Sequence, residues 1–465
     1  MSARSPGSPT PVSPAPSPRD DLARRWLVLV VVGVAMGANY YIYDSINPLE
    51  RIFIDRLGYS ATTFGWLNSA YAATAILTLL MGGIAIDRLG TRRAIPVFAA
   101  ICLAGAALTA ASGHPLSMIA GRALLGLGGE SLVVAATTVI AHWFKGRELA
   151  FAFGIKVTLA RLASVAADNS PAWAKHTYYP QGPQGPPSWQ GPLLLAVGAG
   201  LIGITAAMLY ARLERPGPAH AHAHALADEP ATPKGGGSRW AGLSLRFNPS
   251  YWFVVGICLS FYSAIIPFRT FAIDFFTSRI VGAPGAMGLD AASRALAHQH
   301  ASSYASLLPL SAMIATPLLG LLSDRIGRRA SLMLMAALLL CPVYLLLAYT
   351  FIPLWIPLLM MGIAFAVIPA VMWPSVAYLV PASRLGTAYA LMTLIEQLGF
   401  FCLNLLIGST NDREHAGPDH LAGYHTGMWI FTVVAVAGAV FALLLRLRES
   451  GRNAHGLETV AGSAA

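Results

Sequence analysis

Charge is scarce in this chain. Asp, Glu, Lys and Arg make up 11% of its 465 residues, against about 25% in soluble domains. That shortage excludes a protein made mostly of water-soluble mass. Lysine is rarer still: Lys145, Lys156, Lys175 and Lys234 are the only ones among 31 Lys and Arg. The four cysteines, Cys102, Cys258, Cys341 and Cys402, fall in hydrophobic runs without metal-ligand spacing. They exclude a disulfide framework and read as small core residues. No nucleophile–base set and no phosphate loop is present, so the chain is not read as an enzyme, and no cofactor or metal is expected. A net charge of +10 would suggest nucleic acid in a soluble protein. Here the basic residues lie in short loops between apolar runs, which points to a lipid bilayer and to no nucleic-acid partner.

What the chain does have is hydrophobicity, 55% of residues. Spans of about 20 residues each are predicted at 26–46, 61–84, 94–112, 116–142, 148–169, 192–211, 250–274, 303–322, 329–349, 353–378, 385–409 and 424–445. The run from Trp26 lacks a small-residue cleavage site and is read as a first span rather than a signal peptide. With both termini cytoplasmic, the outer loops hold only Arg51, Arg56, Lys175, Arg279, Arg294 and Arg413. Arg122, Lys156, Arg161 and Arg269 lie within spans, and the other 21 cations fall inside. That bias sets the orientation.

A loop motif repeats at the half-chain offset. The loop after span 2 reads GGIAIDRLGTRR, with Gly83, Asp87, Arg88, Gly90, Arg92 and Arg93. The loop after span 8 reads GLLSDRIGRR, with Gly320, Asp324, Arg325, Gly327, Arg328 and Arg329. Topology charges alone explain the arginines but not the fixed Gly and Asp. Gly allows close helix approach, Asp can accept from a helix N-terminus, and the arginines can hold the turn. Gly83, Asp87, Arg88, Arg92, Gly320, Asp324, Arg325 and Arg328 are therefore candidate gate residues whose contacts exist in one state and break in another.

The repeat divides the chain into a disordered tail (1–25, containing SPGSPTPVSPAPSP), a six-helix half (26–211), a cytoplasmic linker (212–249), a second six-helix half (250–446) and a C-terminal tail (447–465). The linker carries HAHAHA and PATPKGGGS. Its His220, His222 and His224 read as a solvated segment rather than a metal site, because nothing nearby fixes a geometry. On these motifs the chain resembles the major facilitator superfamily. That resemblance implies an all-α membrane protein, two six-helix bundles around a central cavity, and alternating access by rocking of the halves.

Two charges lie at mid-span, where a charge is costly unless it is paired or faces water. They are Glu130 in the run 116–142 and Arg161 in the run 148–169. A small zwitterion could use both; a direct Glu130–Arg161 pair between neighbouring helices is the plainer alternative. The surrounding GRALLGLGGESLVVAATTVIAHWFKGRELAFAFGIKVTLAR (121–161) resembles the lysosomal dipeptide transporter family within the major facilitators. YYIYD (Tyr40 to Asp44), MWPSVAYLVP and LGTAYALM add to the resemblance. The Gly-Pro-Gly-Gly element of drug antiporters, the Pro-Glu-Ser-Pro-Arg element of sugar porters and the Glu-x-x-Glu-Arg element of proton-coupled peptide transporters are absent. The resemblance implies facilitative dipeptide transport, with the family's carboxylate and guanidinium at Glu130 and Arg161. A dipeptide's termini are about 5–7 Å apart, a distance that one carboxylate and one bidentate Arg can read.

Further substrate-binding candidates are Tyr40 and Asp44 on one face of span 1, Tyr43 with Asn39 on another, Trp373 in span 10, Glu396 at the centre of span 11, and Arg269 in span 7 as cavity or gate. Asp274 is read as an outer gate or a snorkelling group. Arg122 and Lys156 are expected to snorkel. Proton symport through Glu130, Glu396 or Asp44 and carriage of an organic anion are the competing readings, and a non-transporting nutrient receptor is a third. The balance of Glu130 and Glu396 against Arg161 and Arg269 favours a zwitterion. The chain is read as a monomer, with an accessory subunit left open. The absence of an acidic dileucine signal before span 1 and the Arg/Ala/Gly-rich usage place it in a bacterial inner membrane.

Overall fold

The computed structural model describes residues 18–144, 148–214, 247–282, 290–381, 384–452 and 454–458. The linker histidines, most of the N-terminal tail and the side chains of Gly83 and Asp87 lie outside the described set. Twelve long helical passes follow one another among the described residues: α1 (Pro18–Asp44), α2 (Ala61–Leu89), α3 (Thr91–Ala111), α4 (Pro115–Phe144), α5 (Leu149–Asp168), α6 (Gln190–Leu213), α7 (Pro249–Val281), α8 (Ala291–Ile326), α9 (Arg329–Leu340, continued by Val343–Tyr349), α10 (Trp355–Leu379), α11 (Leu385–Arg413) and α12 (His425–Glu449). Among the described residues, ten helical stretches are by themselves long and apolar enough to cross a membrane.

Local chemistry sets the helix boundaries. Ser60 caps α2 by accepting from Thr63 N–H, and Asn248 caps α7 by accepting from Tyr251 N–H with Pro249 at the first position. The turns of the repeated motif depend on their second glycine. Gly90 (φ 70°) and Gly327 (φ 71°) adopt a positive φ that a side chain would strain. In α10, Pro369 lacks an N–H and the helix widens into a π turn over Ile368–Met372, just before Trp373.

Four predicted boundaries differ. Helix α1 starts at Pro18, inside the expected tail, where Arg25 pairs with Glu148 at 2.8 Å and Arg24 donates to the Leu213 carbonyl. Between the predicted spans 7 and 8, residues 275–281 and 291–302 are helical, because α7 runs on to Val281 and Asp290 caps α8 thirteen residues before the predicted start of span 8. The loop 170–191 contains two short turns, Ser170–Trp173 and Lys175–Tyr178, anchored by the buried Tyr178. The C-terminal tail folds back, so that the Leu457 carbonyl and the Glu458 carboxylate accept from the start of α9.

Helices α1–α6 and α7–α12 form two bundles, which meet along α2 with α11 and α5 with α8. One face of the molecule is closed. There an apolar core runs from the second bundle into Ile46, Leu49, Phe53, Phe64 and Leu67 of the first. A separate core holds the first bundle together around Val32, Met36, Phe98 and Leu132. At the closed face α2 and α11 nearly touch: a Cβ on Gly65 would sit 2.5 Å from the Asn404 carbonyl oxygen, and one on Gly408 2.5 Å from that of Ala61. The opposite face, which carries the described ends of the chain, is open. There Gly154, Gly320 and Gly386 have no heavy atom of another element within 4 Å of where a Cβ would stand.

The motif residues lie on that open face. Arg92 donates to the Ala211 carbonyl at 2.9 Å. Asp324 is 3.3 Å from Arg329 of its own loop, and Arg88, Arg325 and Arg328 are exposed. The close helix contact expected at Gly320 is absent: no heavy atom of another element stands within 4 Å of where its Cβ would be.

Candidate functional site

A cavity of about 150 Å³ opens between the bundles at mid-helix depth, room for about five waters or one small solute. The first bundle lines it with Asn39, Tyr40, Tyr43, Asp44, Tyr71, Glu130, Val133 and Arg161. The second contributes Tyr262, Ile266, Arg269, Phe365, Thr393, Glu396, Gln397 and Phe400. Seven of the eight predicted substrate-binding residues therefore share one cavity. Trp373 does not line it. It stands one layer back, donating from Nε1 to the Tyr262 hydroxyl at 3.2 Å.

Glycines bring Glu130 into place. Gly128 packs on the α3 backbone, and Gly129 leaves room for the Asn39 amide and the Tyr71 hydroxyl. Tyr71 then donates to Glu130 Oε1 at 3.0 Å, and Gln397 reaches the same oxygen from the other bundle at 3.4 Å. Both bonds fall on one oxygen, which leaves Oε2 for a ligand. The Arg161 guanidinium lies 4.4 Å from the Phe365 ring centroid, an arrangement that orients it while leaving its N–H groups available. Among the described residues no ion pair joins Glu130 to Arg161, so the direct pairing is not what this conformation contains.

Arg269 and Asp44 have another occupation. Arg269 Nη2 stands 2.7 Å from Asp168 Oδ2 and 3.3 Å from Asp44 Oδ2, and all three side chains are buried. Asn47 donates to both carboxylates, at 3.1 Å and 3.3 Å. This cluster ties the bundles together between the cavity and the closed face. Farther out, Arg51 makes a two-pronged bond to Asp274 (2.8 and 3.1 Å), and the Tyr424 hydroxyl donates to the same carboxylate at 2.5 Å. With Arg269 so engaged, the cavity's free charges are Glu130, Glu396 and Arg161. The balance expected from the sequence thus becomes an excess of one carboxylate. Glu396 is buried, and its Oε2 has no partner.

Two expected snorkelling groups turn inward. Arg122 is 1% exposed; it donates to the Ile42 carbonyl (3.2 Å) and to Asn68 Oδ1 (2.6 Å), and lies over Tyr43. Lys156 Nζ donates to Thr137 Oγ1 at 2.7 Å. Each stands seven residues into its helix, about 10 Å from the end. The sequence reading passed over Tyr71, Gln397 and Asp168. The first two are neutral polar groups that an apolar span disguises, although Gln397 beside Glu396 at mid-span was a usable signal. Asp168 lies at a span end, where a carboxylate looks like a boundary charge.

Among curated proteins, the chain is 28% identical over 396 residues to the lysosomal dipeptide transporter MFSD1 of Danio rerio, covering 84% of this chain and 81% of that one. It is 26% identical over 402 residues to that of Homo sapiens, with the same coverage. Among solved structures, a bacterial homologue of the human lysosomal transporter Spinster, inward-facing and unoccupied, matches with a TM-score of 0.69 at 16% identity, over 95% of this chain and 99% of that one. Tetrameric PepTSo2 matches with a TM-score of 0.62 at 15% identity, over 91% and 98%. The profile of the Major Facilitator Superfamily matches residues 29–292 and 283–462. This multi-pass transporter therefore belongs to the major facilitator superfamily.

Proposed function

We propose that the protein moves dipeptides through this cavity by alternating access, as a facilitative uniporter. The observation that carries the reading is the pair Glu130 and Arg161: two opposite charges face one cavity without bonding each other. Glu130 Oε2 takes the peptide ammonium, and Arg161 takes the carboxylate in a bidentate pair. Tyr40, Tyr43, Tyr262, Phe365 and Phe400 supply the walls for the side chains. The surplus carboxylate, Glu396, suits a dipeptide with a basic side chain. The names of the curated relatives support the substrate class.

Asp44 and Arg269 belong on this reading to the closed gate rather than to the ligand. The motif residues Gly83, Asp87, Arg88, Arg92, Gly320, Asp324, Arg325 and Arg328 form the opposite gate once the open face shuts. The open face is the cytoplasmic one, by the excess of Lys and Arg around it, and the membrane is a bacterial inner membrane.

The test is flux into proteoliposomes. Labelled dipeptides, with and without a basic side chain, are followed with wild type, Glu130→Gln and Arg161→Ala. The expected result is equilibration that free amino acids do not compete, at least tenfold slower in both variants. No dipeptide flux from folded wild type would sink the assignment. The unpartnered Glu396 oxygen favours one second reading, proton symport, which requires accumulation above equilibrium only with acid outside.

A further inference from the structure

The closed face contains a second cavity, of about 130 Å³, lined by Glu50, Arg51, Tyr59, Asp274, Asp412 and His415 among others. It lies outside the Arg269 cluster: Asp274 is five residues farther along α7, about 7 Å. Two of its three carboxylates have full partners. Asp274 holds Arg51 and Tyr424. Asp412 accepts from Ala61 N–H (2.7 Å), Thr62 N–H (2.8 Å) and the Thr62 hydroxyl (2.5 Å), so it caps α2 from the other bundle. Glu50 differs. It sits at the start of the short helix Glu50–Leu57 and is 2% exposed, and its Oε2 is buried with no partner.

Every charged or titratable group around Glu50 can be named. Its own helix carries Arg51, directed to Asp274, and Asp55 and Arg56, which are exposed. Helix α7 presents Asp274, the end of α11 presents Asp412 and His415, and the turn before α2 presents Tyr59. Tyr424 is bonded to Asp274, and His298 is bonded to the Pro48 carbonyl. Arg51 lines the same chamber but is bonded to Asp274; among the described residues no hydrogen bond reaches the free oxygen of Glu50, no ion pair includes Glu50, and no group of three acids, histidines or cysteines fits a metal. An ionised carboxylate enclosed there would be unpaired beside two engaged ones, an arrangement that a buried acid avoids by taking up a proton.

We propose that Glu50 is a proton site that links closure of this face to the acidity of the solution beyond it. Glu50 binds a proton as the face closes and returns it to the same side as the face opens. No proton crosses the membrane by this route, because the Arg269 cluster separates the chamber from the substrate cavity. Closure consumes a proton, so acid on this side favours the closed state, by at most about tenfold in the closed-to-open ratio per pH unit. The proposal does not depend on which solute the protein carries.

The test uses the full-length protein with spin labels at Arg56→Cys and Arg413→Cys, exposed positions on this face in opposite bundles, and with Cys341 and Cys402 replaced by Ser. The distance distribution is recorded from about pH 8 to about pH 5. In wild type the short-distance, closed population should grow with acid. In Glu50→Gln that population should be high throughout, with the pH dependence lost. Glu50→Leu, neutral and of similar length, should behave the same way and stands in if the Gln variant does not fold. The infrared difference spectrum of wild type minus either variant should contain a protonated carboxyl C=O band in the closed state. A wild-type distribution that ignores pH, or a neutral variant that keeps the wild-type pH dependence, overturns the proposal.

Discussion

The two faces of the molecule use the same helices for opposite ends. On the closed face α2 and α11 approach to backbone contact at Gly65 and Gly408. Two layers of ion pairs, Arg269 with Asp44 and Asp168, then Arg51 with Asp274, bind one bundle to the other. Asn68 donates to Thr270 across the same seam. On the open face, among the described residues, no hydrogen bond or ion pair joins the bundles. Its glycines, Gly154, Gly320 and Gly386, face empty space. The difference shows where the conformational free energy is held: in buried charges and backbone contacts at one end, with small residues at the other end awaiting partners.

The strongest way to break this asymmetry is Arg269→Ala. It leaves Asp44 and Asp168 buried without their cation, and the loss of one partner from such a cluster costs about 3–5 kcal/mol. The closed face should open by more than about a hundredfold in population, read as a longer Arg56–Arg413 label distance. Replacing Asp44 and Asp168 by Asn in the same variant should recover most of the closure, because no unpaired charge then remains. Next in size is Gly65→Val, whose Cβ would press on the Asn404 carbonyl and should weaken closure by about 1–3 kcal/mol. Gly320→Val sharpens the contrast: the same change on the open face should leave this conformation and its stability unaltered while slowing net transport, because the steric conflict arises only when that face shuts. Arg51→Gln should have the smallest effect, about 1 kcal/mol, because the Arg51 side chain is 23% exposed and such pairs are partly screened. High salt should narrow the gap between Arg51→Gln and wild type and leave the effect of Arg269→Ala in place.

Much of this was legible in the sequence, for physical reasons that also explain what was not. A bilayer makes a mid-span charge conspicuous, so Glu130, Arg161, Glu396 and Arg269 stand out in the sequence itself. The repeated motif gave the two-bundle fold through Gly83, Asp87, Gly320 and Asp324, and its second glycines turned out to make the turns. Pairing was not legible. Nothing in the order of residues says that Arg269 meets Asp168, 101 positions away, and that single bond changes the cavity's charge from balanced to acidic. Arg122 and Lys156 were misplaced because a span edge was equated with a water edge, although each stands two turns inside its helix. Tyr71 and Gln397 were hidden because a neutral hydrogen-bonding group in an apolar run looks like packing until its partner is located. Trp373 was placed one layer too far forward, and its indole supports a cavity wall rather than forming one.

Asp412 offers a last consequence. It adds a second N-terminal cap to α2, taking the Ala61 and Thr62 amides beside Ser60's bond to Thr63, yet it belongs to the other bundle. That second cap lasts only while the closed face does, whereas the Ser60 cap is internal to the first bundle. When the bundles part there, the amides of Ala61 and Thr62 lose their acceptor and meet water. The first turn of α2 becomes a native reporter of gate opening, and amide hydrogen exchange at those two positions would record how often the unlabelled protein exposes its closed side.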